Sequence, residues 1–356
     1  MRALMLISKE KQRYKAIDSN KVKNGVFYTR KAAWLKPQVV EFIKSVNPRT
    51  IIDPFAGSGD MLNAVRKIVY ADIKGYDIDG TLGWECNDSL VSIPLVSHGL
   101  IVTNPPFLAR HSAKRKRVFG LVEKYYSRRD DLYQVALDNC IRACRNVVSI
   151  VPETFINSDY PKSIVKSITI IEDNPFRDTD CPVCVLCIDG TPRPESEILM
   201  FRNSELLGNL GEFNGMRLHP KGQHRILFND RDGAVGLRAV DLTDPEKPIQ
   251  FLLREELGYS TSRIKTSSRL VTYISLPEIP VEEVERVVHR ANEILSSFRE
   301  ATRDTTLSPF KGNTKQGARR RRLDYYTARA ILEKAIDETG ENNRRYAQLT
   351  IFGAQE

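Results

Sequence analysis

The sequence holds no apolar run near the roughly 20 residues that a bilayer span requires. Its opening stretch, "MRALMLISKEKQRYK", returns to charge too soon for a signal peptide. These absences predict a cytoplasmic protein with no membrane partner. Cysteine is scarce, six in 356 residues, which argues against a disulfide framework. Three of the six, Cys181, Cys184 and Cys187, fall in "CPVCVLCID" at a spacing that invites a metal. That segment reads as a strand, however, and residues three apart on a strand face opposite ways. Neither a histidine nor a fourth cysteine lies near it in sequence to close a tetrahedral site. Buried strand thiols are expected instead, and no metal. No internal repeat, low-complexity tract or nuclease-like grouping of carboxylates and lysine is evident. The glycine-rich turn "DPFAGSGD" is not followed by Gly-Lys-Ser/Thr, so it is no Walker phosphate loop, and it lacks the spacing of a dinucleotide fingerprint.

What is present reads as a globular protein. Hydrophobic residues make up 41% and charged residues 28%, and the length suits two domains. The net charge of +9 and a pI near 9.2 favour a polyanionic partner.

The first half alternates strand-like and helix-like segments. Strands are expected at 50–55, 73–79, 100–104, 146–152, 167–173 and 182–188. Amphipathic helices are expected at "KPQVVEFIKSV", "MLNAVRKIV" and "DLYQVALDNCIRACR". Such alternation predicts an α/β fold, a doubly wound, mostly parallel sheet covered on both faces. Asp53, Asp77 and Asn104 stand at or near strand ends, where the ligand crevice of such a sheet lies. The stretch "GTPRPESE" has linker composition, so residues 1–192 are expected to form the sheet domain and 193–356 a smaller α+β domain. In the latter, "VEEVERVVHRANEILSSFRE" carries an apolar stripe of Val284, Val287, Val288, Ala291, Ile294, Leu295 and Phe298. Core packing is the default for that stripe, and a homodimer interface is the alternative to a monomer.

Chemistry concentrates in two places. In "DPFAGSGD" the glycines let backbone approach a ligand. Asp77, ending "GYD", is placed to accept both hydroxyls of a ribose. In "LIVTNPPFLAR" a buried strand ends at Asn104, Pro105 and Pro106, and the prolines stiffen the corner that presents Phe107. A ribose-bearing, non-phosphorylated cofactor with cationic or zwitterionic character fits these parts.

In that order, "FYTRKAAW", "DPFAGSG", "CNDSL", "NPPF" and "DNPFRDTDCPVCVLC" resemble the motifs of S-adenosylmethionine-dependent N6-adenine DNA methyltransferases. More narrowly, the chain resembles the restriction–modification group in which a C-terminal target-recognition domain follows the cofactor motifs. The resemblance covers about residues 24–190 and implies a class I, Rossmann-like methyltransferase fold with S-adenosylmethionine as cofactor. It implies that Tyr28 and Thr29 approach the methionine end, and that Asp53, Ala56, Gly57 and Gly59 line the cofactor. Asp77 would bind the ribose, and Asp88 would accept from the cofactor's adenine amino group. The Asn104 side-chain oxygen and the Pro105 carbonyl would clamp the target amino group. Phe107 and Phe176 would face a base flipped out of the duplex. The family usually has proline where Arg30 stands.

Two basic stretches suit a double-stranded DNA partner: Lys114, Arg115, Lys116 and Arg117 beside the corner, and Lys311, Lys315, Arg319, Arg320, Arg321 and Arg322 in a flexible loop entering a helix. The expected setting is a modification enzyme with its restriction endonuclease on a separate chain. Methylation of RNA adenine, of a protein glutamine amide or of cytosine N4, and an inactive DNA-binding protein of the same fold, are the alternatives.

Overall fold

The computed structural model describes residues 31–353 apart from 174, 177 and 178, with side chains described from residue 32 to 340. Tyr28 and Thr29 lie outside the described residues. The chain divides into two compact units, breaking between Gly211 and Glu212.

The first unit is built on a nine-stranded sheet. Its strands in chain order are β1 (Thr50–Asp53), β2 (Asp72–Asp77), β3 (Glu85–Cys86), β4 (Gly99–Thr103), β5 (Val147–Pro152), β6 (Val165–Ile171), β7 (Val183–Ile188), β8 (Leu199–Arg202) and β9 (Glu205–Asn209). They lie in the order β3-β2-β1-β4-β5-β7-β6-β8-β9. From β3 to β5 every pairing is parallel, while β7 runs antiparallel to both its neighbours. Strands β4, β5 and β7 are buried at every position, and each is rich in valine, isoleucine and leucine, as strands covered on both faces require. Cys184 and Cys187 are buried thiols on β7, and Cys181 stands just before it.

Helix α1 (Pro37–Val46) starts on a proline, whose missing N–H costs nothing there, and ends on Asn47 in the left-handed region. Helix α2 (Asp60–Val65) follows the glycine-rich turn. Two short helices, α3 (Arg110–Arg115) and α4 (Phe119–Val122), come after the proline corner. Helix α5 (Leu132–Ala143) is capped by Asp131, whose side chain accepts from the Tyr133 N–H.

The sheet continues past "GTPRPESE", where the domain was expected to close. Strand β8 pairs parallel with β6, and β9 antiparallel with β8. The proline-rich stretch is a connection within the unit. Arg193 clasps Asp189 at 2.7 and 2.8 Å, and Arg145 donates to the Asp189 carbonyl at 2.8 Å. Loop composition marks where regular structure stops, and cannot tell a turn inside a sheet from a domain boundary.

Helix α6 (Leu210–Gly215) spans the division between the units. The second unit carries β10 (Leu227–Phe228), β11 (Val235–Arg238), β12 (Gln250–Leu253) and β13 (Val271–Ser275), in an antiparallel sheet ordered β10-β13-β11-β12. Helix α7 (Arg254–Leu257) follows β12. The long helices α8 (Val281–Thr302) and α9 (Tyr325–Gly353) pack together. All seven stripe residues of α8 lie in this unit's hydrophobic core. Between the long helices sits a hairpin of β14 (Ser308–Asn313) and β15 (Arg319–Arg322).

The basic segment expected to be a flexible loop is therefore half strand. Arg319 and Arg321 are buried, Arg321 to 1% exposure, so neither presents its charge to a partner. Around them Asp241 acts as a hub. It accepts two bonds from Arg299, at 2.9 and 3.1 Å, and one from the Arg321 backbone N–H at 2.9 Å. Burial works against the Arg299 charge, but the pairings with Asp304 and Asp241 prevail and raise its pKa. Arg320 lies over the Phe310 ring at 4.9 Å and donates to the Asp241 carbonyl. Lys311 and Lys315 are exposed.

Candidate active site

Because β1 lies between β2 and β4, the strand order reverses direction at β1, and the crevice of such a sheet opens there, beyond the strands' carboxyl ends. A cavity of about 370 Å³ occupies that place, within the roughly 300–1,000 Å³ usual for small-molecule sites. It is lined by Asp53 from the end of β1, Asp77 from the end of β2, Asp88 from the loop after β3, and Asn104, Pro105 and Pro106 from the corner after β4. Ala56 and Gly57 of the glycine turn also line it, with Ile78, Leu90, Leu121, Val122 and Tyr125 supplying apolar walls.

Among the described residues the lining holds four carboxylates, Asp53, Asp60, Asp77 and Asp88, and no lysine, arginine or histidine. A phosphate-bearing ligand would meet repulsion here without a compensating cation. A cationic or uncharged ligand with hydroxyl and amino donors would not.

The glycine turn is held tightly. Gly57 and Gly59 both have positive φ, 49° and 78°, where a side chain would be strained. The Gly57 N–H donates to Asp77 Oδ2 at 2.9 Å, and Asp77 Oδ1 accepts from the Asp79 N–H. Each oxygen of Asp77 thus accepts one backbone bond, and the residue lines the cavity. The Trp84 indole N–H donates to the Gly57 carbonyl at 2.8 Å. Its ring lies flat against Gly75, where a Cβ would come within 2.3 Å of it.

Asp53 is almost wholly buried. It accepts from the Thr103 hydroxyl at 2.7 Å and from the Phe55 N–H at 3.0 Å. Burial pushes its carboxyl up to about 7, against those two bonds, and the negative charge of Asp77 adds to the rise. Asp88 accepts from the Tyr125 hydroxyl at 2.7 Å and pairs with Lys124 at 3.4 Å. Burial comes first in raising the pKa of Tyr125, so it stays a hydrogen-bond donor at neutral pH.

The proline corner is braced from outside the cavity. Asp131 Oδ1 accepts from the Leu108 N–H at 3.0 Å, and the Tyr126 hydroxyl donates to the Leu108 carbonyl at 2.6 Å. Burial pushes the Asp131 carboxyl up to about 6. Phe107 does not line the cavity. Its ring is buried edge-on against Tyr133, at 6.3 Å between centroids, and against Phe176, at 6.2 Å. Both phenylalanines expected to face a base are packed together as support for the corner. Of the nearby cations, Lys114, Arg115 and Arg117 are exposed and Lys116 half-buried, and Lys114 lies over the Phe119 ring at 4.9 Å.

Sequence reading missed Trp84, Tyr125 and the second role of Asp131. Nothing in "EKYYSRRDD" distinguishes Tyr125 from its neighbour. An aspartate directly before an apolar-periodic run does signal a helix cap, and that signal was available at Asp131.

No protein-family model and no curated protein matches the sequence. Several solved structures are similar. A Listeria monocytogenes protein assigned to the class I S-adenosylmethionine-dependent methyltransferases has 15% identity over 49% of this chain and 68% of its own, with a TM-score of 0.36. The methyltransferase subunit of a type I restriction–modification system from Streptococcus thermophilus has 15% identity over 49% and 47%, with a TM-score of 0.35. TrmN from Thermus thermophilus has 17% identity over 44% and 49%, with a TM-score of 0.28. The chain thus spans about half the length of the latter two. No helix among the described residues is long and apolar enough to cross a membrane.

Proposed function

We propose that the chain is an S-adenosylmethionine-dependent methyltransferase acting on the N6 amino group of an adenine flipped out of duplex DNA. One observation carries the reading: a cavity at the strand ends, lined among the described residues by four carboxylates and no cation, has the Asn104-Pro105-Pro106 corner in its wall. The donor set fits the cofactor. Asp77 accepts the ribose hydroxyls, Asp88 accepts an adenine amino hydrogen, and the acidic lining suits a positively charged ligand. When bound, S-adenosylmethionine supplies an electrophilic methyl group on a sulfonium.

The protein's own part is to prepare the nucleophile. The exocyclic nitrogen of adenine is weak because its lone pair is delocalised into the ring. The Asn104 side-chain oxygen and the Pro105 carbonyl accept its two hydrogens and so draw the lone pair out of the plane. With the cofactor bound, the activated nitrogen would take the methyl group from the sulfonium, the sulfur would keep the bonding pair, and the proton released from the nitrogen would pass to solvent. Positioning and preorganised dipoles supply the rate enhancement, with no covalent enzyme intermediate. Pro105 has no N–H to compete for the target, and the Asp131, Tyr126, Phe107 and Phe176 contacts hold the corner still. A restriction–modification system with its endonuclease on another chain is the setting this reading implies.

The test is to incubate the protein with methyl-labelled S-adenosylmethionine and mixed-sequence duplex DNA, then digest and identify the labelled nucleoside. Label in N6-methyladenine, absent with Asn104→Ala although that variant still binds cofactor, supports the reading. Cofactor binding without label in DNA would move the substrate to RNA adenine or a protein glutamine amide. Absence of cofactor binding would leave a basic DNA-binding protein.

A further inference from the structure

Residues 258–270 of the second unit, "GYSTSRIKTSSRL", contain no acidic residue, three cations and six serines or threonines. The segment links α7 to β13, with one short 3₁₀ turn at Thr261–Arg263. Its backbone is pinned from the strand side. The Asn229 side-chain amide donates to the Thr266 carbonyl at 3.0 Å and the Ser268 carbonyl at 3.4 Å. Arg231 donates twice to the Ile264 carbonyl, at 3.4 and 3.2 Å. Ile264 is buried as an apolar anchor, and the Lys265 N–H closes the loop on the Ser268 hydroxyl at 3.0 Å.

With its backbone held inward, the loop turns its cations out. Arg263, Lys265 and Arg269 are all exposed, and no carboxylate among the described residues pairs with them. Arg269 is further fixed over the Tyr325 ring at 5.5 Å, and Tyr325 stacks on Phe228 at 4.5 Å. A surface of exposed arginines and lysine interleaved with hydroxyls is the donor set that contacts phosphate oxygens. Because these bonds hold the loop's backbone, little backbone freedom is lost on binding. Arg319 and Arg321, two of the ten cations named from the sequence, are buried.

We propose that the loop of residues 258–270 contacts the phosphate backbone of duplex DNA through Arg263, Lys265 and Arg269. This rests on the DNA reading above. The loop positions the duplex and does not by itself read sequence.

The test measures binding of a fluorescein-labelled, mixed-sequence duplex by anisotropy across a series of salt concentrations. The proteins compared are wild type, an Arg263→Ala/Lys265→Ala/Arg269→Ala variant, and a Lys67→Ala/Lys74→Ala/Arg286→Ala variant with the same loss of net charge from other elements. An Arg263→Lys/Arg269→Lys variant keeps the charge. The loop variant should bind about tenfold or more weakly at low salt, and its log–log salt slope should fall by about 0.9 for each lost phosphate contact. The charge-matched control and the lysine variant should stay near wild type, and all should bind S-adenosylmethionine equally. Equal weakening in the charge-matched control, or an unchanged salt slope in the loop variant, overturns the proposal while leaving the methyltransferase reading intact. Failure of the wild type to bind duplex DNA overturns both.

Discussion

Thr103 donates its hydroxyl hydrogen to Asp53 at 2.7 Å, tying the last residue of β4 to the last residue of β1. The residue after Thr103 is Asn104, and two residues after Asp53 the glycine turn enters the cavity wall. One buried hydrogen bond therefore couples the two halves of the site. Removing it with Thr103→Val, a change of similar shape, leaves a buried carboxyl with one donor fewer. A loss of about 1–3 kcal/mol in unfolding free energy is expected, read by urea denaturation. Methyl transfer should fall in kcat more than in cofactor affinity. A variant as stable and as active as wild type would show that the tie positions nothing.

Asp53 also sets a pH dependence. Its ordinary pKa is 3.8, and burial raises it to about 7 in the folded protein. Below the lower value the group is protonated in both states and burial carries no charge penalty. Between the two values the unfolded chain has released the proton and the folded one has not, so folding binds a proton and stability falls as pH rises. Above about 7 the contribution levels off. Asp53→Asn should remove that slope, so urea midpoints of wild type and variant should diverge from about pH 4 to 7. Parallel curves would exclude it. S-adenosylmethionine, being cationic, should bind the ionised form better, with affinity rising through about pH 7 in wild type alone.

Asp77 accepts from Gly57 at 2.9 Å and faces the cavity. Hydrogen bonds to a charged group contribute about 1.5–3 kcal/mol each. Asp77→Ala should then weaken cofactor binding by about tenfold to a few hundredfold in calorimetric titration. Asp77→Asn, which keeps one acceptor oxygen, should fall between. Wild-type affinity in Asp77→Ala would remove the ribose role.

Gly75→Ala would place a methyl carbon 2.3 Å from the Trp84 ring, closer than any real contact. The indole must move and give up its bond to the Gly57 carbonyl. A cost of about 1–3 kcal/mol is expected, as for overpacking elsewhere, with a change in tryptophan emission and weaker cofactor binding. An unaltered emission spectrum with an unaltered melting temperature would show that Trp84 does not hold the turn.

Arg321 lies at 1% exposure beside the Asp241 hub. Arg321→Ala should behave as a core lesion, losing about 2–4 kcal/mol through lost packing and unpaired partners. At temperatures where the variant stays folded, its DNA affinity should equal that of wild type. A loss of DNA affinity without loss of stability would return Arg321 to the binding surface.

Much of this architecture was legible. All six strands read from the first half lie within a few residues of their expected places, and the seven apolar residues of α8 are buried as one stripe. Periodicity of 2 or 3.6 is local, and burial on a sheet or helix face is its direct cause. The run Arg319–Arg322 shows the limit. Four identical residues carry no alternation, so nothing in their order reveals a strand with Arg319 and Arg321 turned inward. The strand is held to Asp241, far away in sequence, which accepts from the Arg321 backbone N–H and, through its own carbonyl, from the Arg320 side chain. Phe107 illustrates the same limit, since an aromatic beside a ligand corner can stack on the ligand or support the corner from behind.

The order of residues by itself determined where strands end, where the prolines stiffen the chain, and that Asp53, Asp77 and Asn104 stand at strand ends. These follow from dihedral limits and short-range patterning. Only the tertiary structure decided that Trp84 closes on Gly75, that Tyr125 donates to Asp88, that Phe107 meets Phe176, and that the exposed cations of the second unit include Arg263, Lys265 and Arg269. Each of those outcomes depends on which distant segments come within a few ångströms of one another. That proximity is set by packing of the whole sheet and its covering helices, which no short window of sequence contains.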